Sequence, residues 1–130
     1  MKTVEEIERN MAMSTGTQNY YKHWLPGVCY TDGVHQLAND ADCFWLIDAI
    51  ASHLGNNKVR CHAFQSWKLT VKNNKATLRM TDGNDNVIKT QRISFTDFPL
   101  DEVTLFVEWG SYMTTNGEKR AFIIMIPSER

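Results

Sequence analysis

Apolar positions recur with two different periods along this chain, and the change falls between residues 55 and 58. Before it the spacing is helical. Thr3-Val4-Glu5-Glu6 has the form of a capping box, with Thr3 as N-cap and Glu6 three residues on. Val4, Ile7 and Met11 continue it as one stripe. Thr17–Tyr21 reads as a short helical turn, and Pro26-Gly27 as a break. Thr31-Asp32-Gly33 starts a short helix carrying Val34, Leu37 and Ala38. The spacing then predicts a helix over 41–54, capped by Asn39 or Asp40 and closed by Gly55. Cys43, Leu46, Ile47, Ile50, Ala51 and Leu54 share its apolar arc, with Trp45, Asp48 and Ser52 on the other side.

After residue 58 the period is two. Trp67, Leu69 and Val71 face one way, and Ser66, Lys68, Thr70 and Lys72 the other. Asn73-Asn74 is a turn, and Ala76, Leu78 and Met80 repeat the alternation. Asp82-Gly83-Asn84-Asp85 signals a hairpin before a third strand at 87–93. Pro99 breaks the chain ahead of a fourth strand at 103–109, and Asn116-Gly117 turns into a fifth at 121–126. The expectation is a single α+β domain over 1–130, with helices on one face of a roughly five-stranded antiparallel meander and a peripheral N-terminal helix within 1–14.

Composition narrows the class. The 130 residues are 42% hydrophobic and 22% charged, ordinary for a globular domain. No apolar stretch reaches membrane-spanning length, and the acidic MKTVEEIERN start lacks the apolar core of a signal peptide. The three cysteines, Cys29, Cys43 and Cys61, include no C-x-x-C pair and are too few for a disulfide scaffold. A cytoplasmic location is expected.

Candidate chemistry is sparse. Cys43, read in the first turn of a helix, and His62, read at a strand start, are the only pair that resembles a minimal papain-like hydrolase. The periodicity sets Cys43 among Ile47, Ile50 and Leu54, where a cysteine is a small hydrophobe. Neither His23, Cys29 and His35 nor His53, Cys61 and His62 has the ligand spacing of a structural zinc site, so no metal and no cofactor is expected. Phosphate-binding glycine loops are absent from the sequence. Asp48 interrupts an apolar run and suits a bond to a neighbouring loop. Asp97, before Phe98-Pro99, suits an Asx turn closing a strand.

Charge is segregated although the net is only −1. Residues 1–55 carry 3 basic and 7 acidic side chains, 56–92 carry 8 and 2, and 93–130 carry 3 and 6. Strand alternation gathers Lys68, Lys72 and Arg79 on the polar sheet face, with Arg92 beside them. That face suits an acidic partner or, against the net charge, a nucleic-acid backbone. Tyr20, Tyr21 and Trp24 are the other binding candidates, since exposed aromatics anchor interfaces.

Several stretches together resemble one family. They are Gly16–His23, Thr31-Asp32-Gly33-Val34 with Leu37-Ala38, Phe44–Ser52 with Trp45 and Asp48, Phe64-Gln65-x-Trp67-Lys68-Leu69, Phe95-Thr96-Asp97-Phe98-Pro99-Leu100 and Pro127-Ser128-Glu129. In that order they resemble DUF6876, a family of bacteria, plasmids and phages with no assigned activity. The resemblance implies a shared fold and a mobile-element context. It also implies a non-cysteine residue where Cys43 stands, hence no shared catalytic thiol. The resulting expectation is a non-enzymatic protein-binding or regulatory domain, acting as a modulator or inhibitor of a host defence protein.

Overall fold

In the computed structural model, which describes residues 2–130, the capping box forms as written. Thr3 Oγ1 accepts the Glu6 N–H at 3.2 Å and the Glu6 carboxylate accepts the Thr3 N–H at 3.3 Å, which starts α1 (Val4–Met13). Ile7 is the side chain that α1 buries, and Asn10 Nδ2 donates to Asp40 on the next helix at 2.8 Å.

The helix expected over 41–54 is two helices. Asp42 sits in the left-handed region, φ 52 and ψ 50, and ends α2 (Asp32–Ala41); α3 (Phe44–His53) then begins after Cys43. Aspartate tolerates that backbone better than most residues with a Cβ. Asn39 and Asp40 therefore lie inside α2 instead of capping α3, and the cap that does form is Thr31, whose Oγ1 accepts the Val34 N–H. The break lets both helices bury an apolar side, Val34, Leu37 and Ala38 from one and Leu46, Ile47 and Ile50 from the other. A single turn, α4 (Asn57–Arg60), leads into the sheet.

The strands are β1 (Tyr20–Lys22), β2 (Val28–Thr31), β3 (Phe64–Lys72), β4 (Lys75–Thr81), β5 (Val87–Ile93), β6 (Glu102–Thr114) and β7 (Gly117–Met125). They form one sheet in the order β1-β2-β7-β6-β3-β4-β5. The α+β class stands, but the five-stranded antiparallel meander gives way to seven strands with one parallel pair, β2 on β7. Residues 20–22, expected to end a helical turn, instead form β1, antiparallel to β2.

The meander also fails at β5, because β6 returns to pair with β3. The connection at 94–101 crosses the end of the β3–β4 hairpin. Thr96 N–H donates to the Asn74 carbonyl at 2.8 Å and Asn74 Nδ2 donates back to Thr96 O at 3.3 Å. Asn73 and Asn74 supply the two positive φ values, 54 and 59, that a tight hairpin turn demands. Phe98 and Leu100 are buried on either side of half-buried Pro99. The side chain that closes this turn is Thr96, accepting the Phe98 N–H at 3.1 Å, and not the expected Asp97, which is exposed.

One sheet face carries Trp67, Leu69, Leu78, Met80, Leu105 and Ile124 into the helix-covered core. Gln65 ties α4 to that layer. Its Nε2 donates to the carbonyls of Val59 and His62, and its Oε1 accepts Trp67 Nε1–H at 2.9 Å. The opposite face has its own small cluster of Cys29, Ala121, Ile123 and Met125, flanked by Phe106 and Tyr112. The β4–β5 hairpin tip curls over that face, so that a Cβ on Gly83 would lie 2.9 Å from the Phe64 ring. Among the described residues no helix is long and apolar enough to cross a membrane.

Candidate functional site

Three places gather the residues that the sequence singled out. The first is a joint around Glu129. Its carboxylate accepts Thr17 Oγ1–H at 3.2 Å, Thr31 Oγ1–H at 2.5 Å, and the backbone N–H groups of Gly33 and Ile126 at 3.1 Å each. Gly33 is glycine for a steric reason, since a Cβ there would stand 2.6 Å from a Glu129 oxygen. Asp32 adds a second clamp, accepting the N–H groups of Gln18 at 3.1 Å and Asn19 at 2.9 Å. Desolvation works against the charged form of Asp32, but those two backbone donors together with the Asn19 and Tyr21 side chains outweigh it and hold the carboxyl below its ordinary range. Ser128 Oγ closes the joint by donating to the Ser14 carbonyl at 2.6 Å. Three separated stretches, Gly16–His23, Thr31–Val34 and Pro127–Glu129, thus meet in one structural knot.

The second is an aromatic ledge where β1 and β2 face α2 and α3. Tyr21 stacks on His35, with ring centres 4.1 Å apart and planes within 3°, and on Tyr30 at 5.5 Å. Phe44 meets His35 edge-on. At its end, buried His23 fixes Asp48. The Leu25 N–H donates to His23 Nδ1 at 3.0 Å, so the ring proton is on Nε2, which donates to Asp48 Oδ1 at 2.7 Å. The Trp24 indole N–H donates to the same oxygen at 3.3 Å. Trp24 is nevertheless 74% exposed. The Tyr30 phenol is raised, first by burial and then by the charges of Tyr21 and Asp48 beside it. Tyr20, grouped with Tyr21 and Trp24 in the sequence, points to the opposite sheet face, where its ring lies 5.3 Å from Tyr112. Trp45 is half-buried against the core.

The third is the polar sheet face. Lys68 and Arg79 are cross-strand partners, Thr77 pairs with Arg92, and Lys72 pairs with Lys75 at the strand ends. Two acids interrupt the basic character. Glu102 bridges Lys68 at 3.1 Å, and Asp85 lines the same cleft as Lys68 and Arg79. Neither Lys72 nor Arg92 lines that cleft.

The thiols lie elsewhere. Cys43 is 2% exposed and donates to the Leu37 carbonyl at 3.7 Å. Burial, followed by the charge of Asp42, pushes its pKa up to about 12. An activated nucleophile needs the reverse shift. His62 stands in the turn before β3, where its carbonyl accepts Gln65 Nε2. The other histidines are engaged separately, His53 Nε2–H donating to Gln91 Oε1 at 2.7 Å with its ring stacked on Trp67. Among the described residues no three His, Cys, Asp or Glu side chains converge as a metal site.

Sequence reasoning named Tyr21, Trp24 and Asp48 but did not group Tyr30, His35 and Phe44 with them, and these complete the ledge. Nothing in the local pattern links them, because they sit on three different elements. The fold and these joints define a two-layer α+β domain with a mixed seven-stranded sheet. Residues 5–130 match the family of unknown function DUF6876, and the chain belongs to that family. No curated protein and no solved structure matches it.

Proposed function

We propose that this chain is a non-enzymatic binding domain that docks on another protein through the Tyr21–Trp24 ledge. The observation that carries the reading is Trp24, a tryptophan largely open to solvent whose indole is held by Asp48, itself held by buried His23. A large side chain fixed before contact loses little rotamer freedom on binding, and such aromatics dominate interface energies. The partner chemistry follows from the acid at the ledge and from the surplus of 7 acidic over 3 basic side chains in residues 1–55. It is a protein with an apolar pocket rimmed by Lys or Arg. A cytoplasmic regulator carried by phage or mobile DNA, acting as a modulator or inhibitor of a host defence protein, is the setting that fits this size and family.

The test is affinity capture by tagged chain from host lysate, with Trp24→Ala and Asp48→Asn run beside the wild type and nuclease added throughout. The expected result is one host protein retained by wild type and lost by Trp24→Ala, with the melting temperature of that variant unchanged. Equal retention by Trp24→Ala, or retention abolished by nuclease, overturns the reading.

A further inference from the structure

The polar sheet face holds a cleft of about 370 Å³ on the opposite side of the sheet from the aromatic ledge. We propose that this cleft is a binding site for a small hydroxylated oxyanion, a molecule whose phosphate or carboxylate sits against Arg79 and whose hydroxyls meet the threonine rows. The inference does not rest on the docking reading.

Arg79 occupies the middle of β4, between Lys68 on β3 and Thr90 on β5. Lys68 is engaged by Glu102 at 3.1 Å, whereas Arg79 forms no ion pair among the described residues. A guanidinium left free in a cleft is the side chain best suited to grip an oxyanion, since its fork matches two oxygens at once. Around it Ser66, Thr70, Thr77 and Thr104 present hydroxyls that make no hydrogen bond within the described residues. Thr81 differs, its Oγ1 accepting the Gly83 N–H at 3.4 Å.

The cleft has walls because the β4–β5 tip curls over the sheet. Gly83 rests against Phe64, and Asp85, in the left-handed region at φ 66, is brought to the cleft edge. The volume falls in the range of small-molecule sites, roughly 300–1,000 Å³. Asp85 and Glu102 flank the cations, and an extended polyanion would meet one of them as it left the cleft. A discrete anion fits between them, and hydroxyls on that anion would satisfy both the threonines and Asp85.

The experiment is an amide-resolved NMR titration of the full chain with inorganic phosphate, glycerol 3-phosphate and glycerate. These separate the oxyanion from the hydroxylated body, and phosphate from carboxylate. Saturable shifts are expected at residues 66–81 and 104, with one of the two hydroxylated probes binding more tightly than inorganic phosphate. Arg79→Gln should weaken that binding by about tenfold or more, and Thr77→Val by about threefold. Thr77→Val also serves if Arg79→Gln lowers the melting temperature. Three results each overturn the proposal: no saturation by any probe, equal affinity for inorganic phosphate and the hydroxylated probes, or unchanged binding in Arg79→Gln.

Discussion

Removing the Glu129 carboxylate is the sharpest perturbation this fold offers. Glu129→Ala takes the acceptor from four donors at once: Thr17 Oγ1, Thr31 Oγ1, Gly33 N and Ile126 N. Thr31, Gly33 and Ile126 are buried, so their donors cannot all turn to water, and each stranded group costs about 1 kcal/mol. Thr17 is better hydrated and adds about 0.3 kcal/mol. The expected loss is about 3 kcal/mol, a drop in melting temperature of about 10 °C for a chain of this length. Urea unfolding followed by tryptophan fluorescence and far-ultraviolet circular dichroism measures it. Glycine 33 supplies an internal control. In the wild type, Gly33→Ala drives a Cβ into the carboxylate and must displace it, at about 2 kcal/mol. In the Glu129→Ala background the space is empty, and alanine improves on glycine in a helix by up to about 1 kcal/mol. The two changes should therefore be strongly non-additive. A Glu129→Ala loss under about 0.5 kcal/mol, or additive effects in the double mutant, would refute the joint as a stabilising device.

Two further outcomes follow from titrating groups. Cys29 and Cys43, raised by burial to about 11 and about 12, should resist a thiol reagent at neutral pH while exposed Cys61 reacts. One fast thiol in the native state and three after denaturation is the expected count, and fast labelling of Cys43 that His62→Ala abolishes would restore the hydrolase reading. Asp32 has a folded pKa below its ordinary value of 3.8, so its contribution is complete above that value and is lost as the pH falls through the folded pKa. The stability gap between wild type and Asp32→Asn should narrow on acidification from pH 6, and a gap that widens contradicts the clamp.

How much of this was readable in the sequence depends on range. β3, β4 and β6 declare themselves by repeated alternation, whereas β5 and β7 are read from the turns before them and from the apolar run at 121–126. The Asn73-Asn74 and Asp82–Asp85 turns carry residues that the required φ values select. β1 and β2 have three and four residues, too few for a period to emerge, and β2 becomes a strand by lying between β1 and β7. The α2–α3 break is hidden because the apolar stripe runs on across Asp42, and only the left-handed backbone interrupts it. That Lys68 and Arg79 share a face follows from alternation alone. Glu102 and Asp85 come to that face through the β6 crossover and the hairpin curl, which are tertiary facts. The ledge is the least legible part, since His23 and Asp48 meet across 25 residues through a helix and a strand whose relation no local pattern encodes.

The parallel pair of β2 and β7 has a consequence for synthesis. β7 lies between β2 and β6 in the sheet, and Glu129 follows it to lock Thr17, Thr31 and Gly33. A ribosome delivers the chain from its amino end, so β1 and β2 emerge long before the strand that anchors them. Until residues 117–129 are free, the early segment has only its own short ribbon, and two-stranded ribbons are marginal in water. Closure of the domain is therefore a late, all-at-once event that waits on its final strand. Contacts spanning about a hundred residues also make it a slow one, and nascent chains stalled within β7 would expose an unfinished sheet edge to proteases.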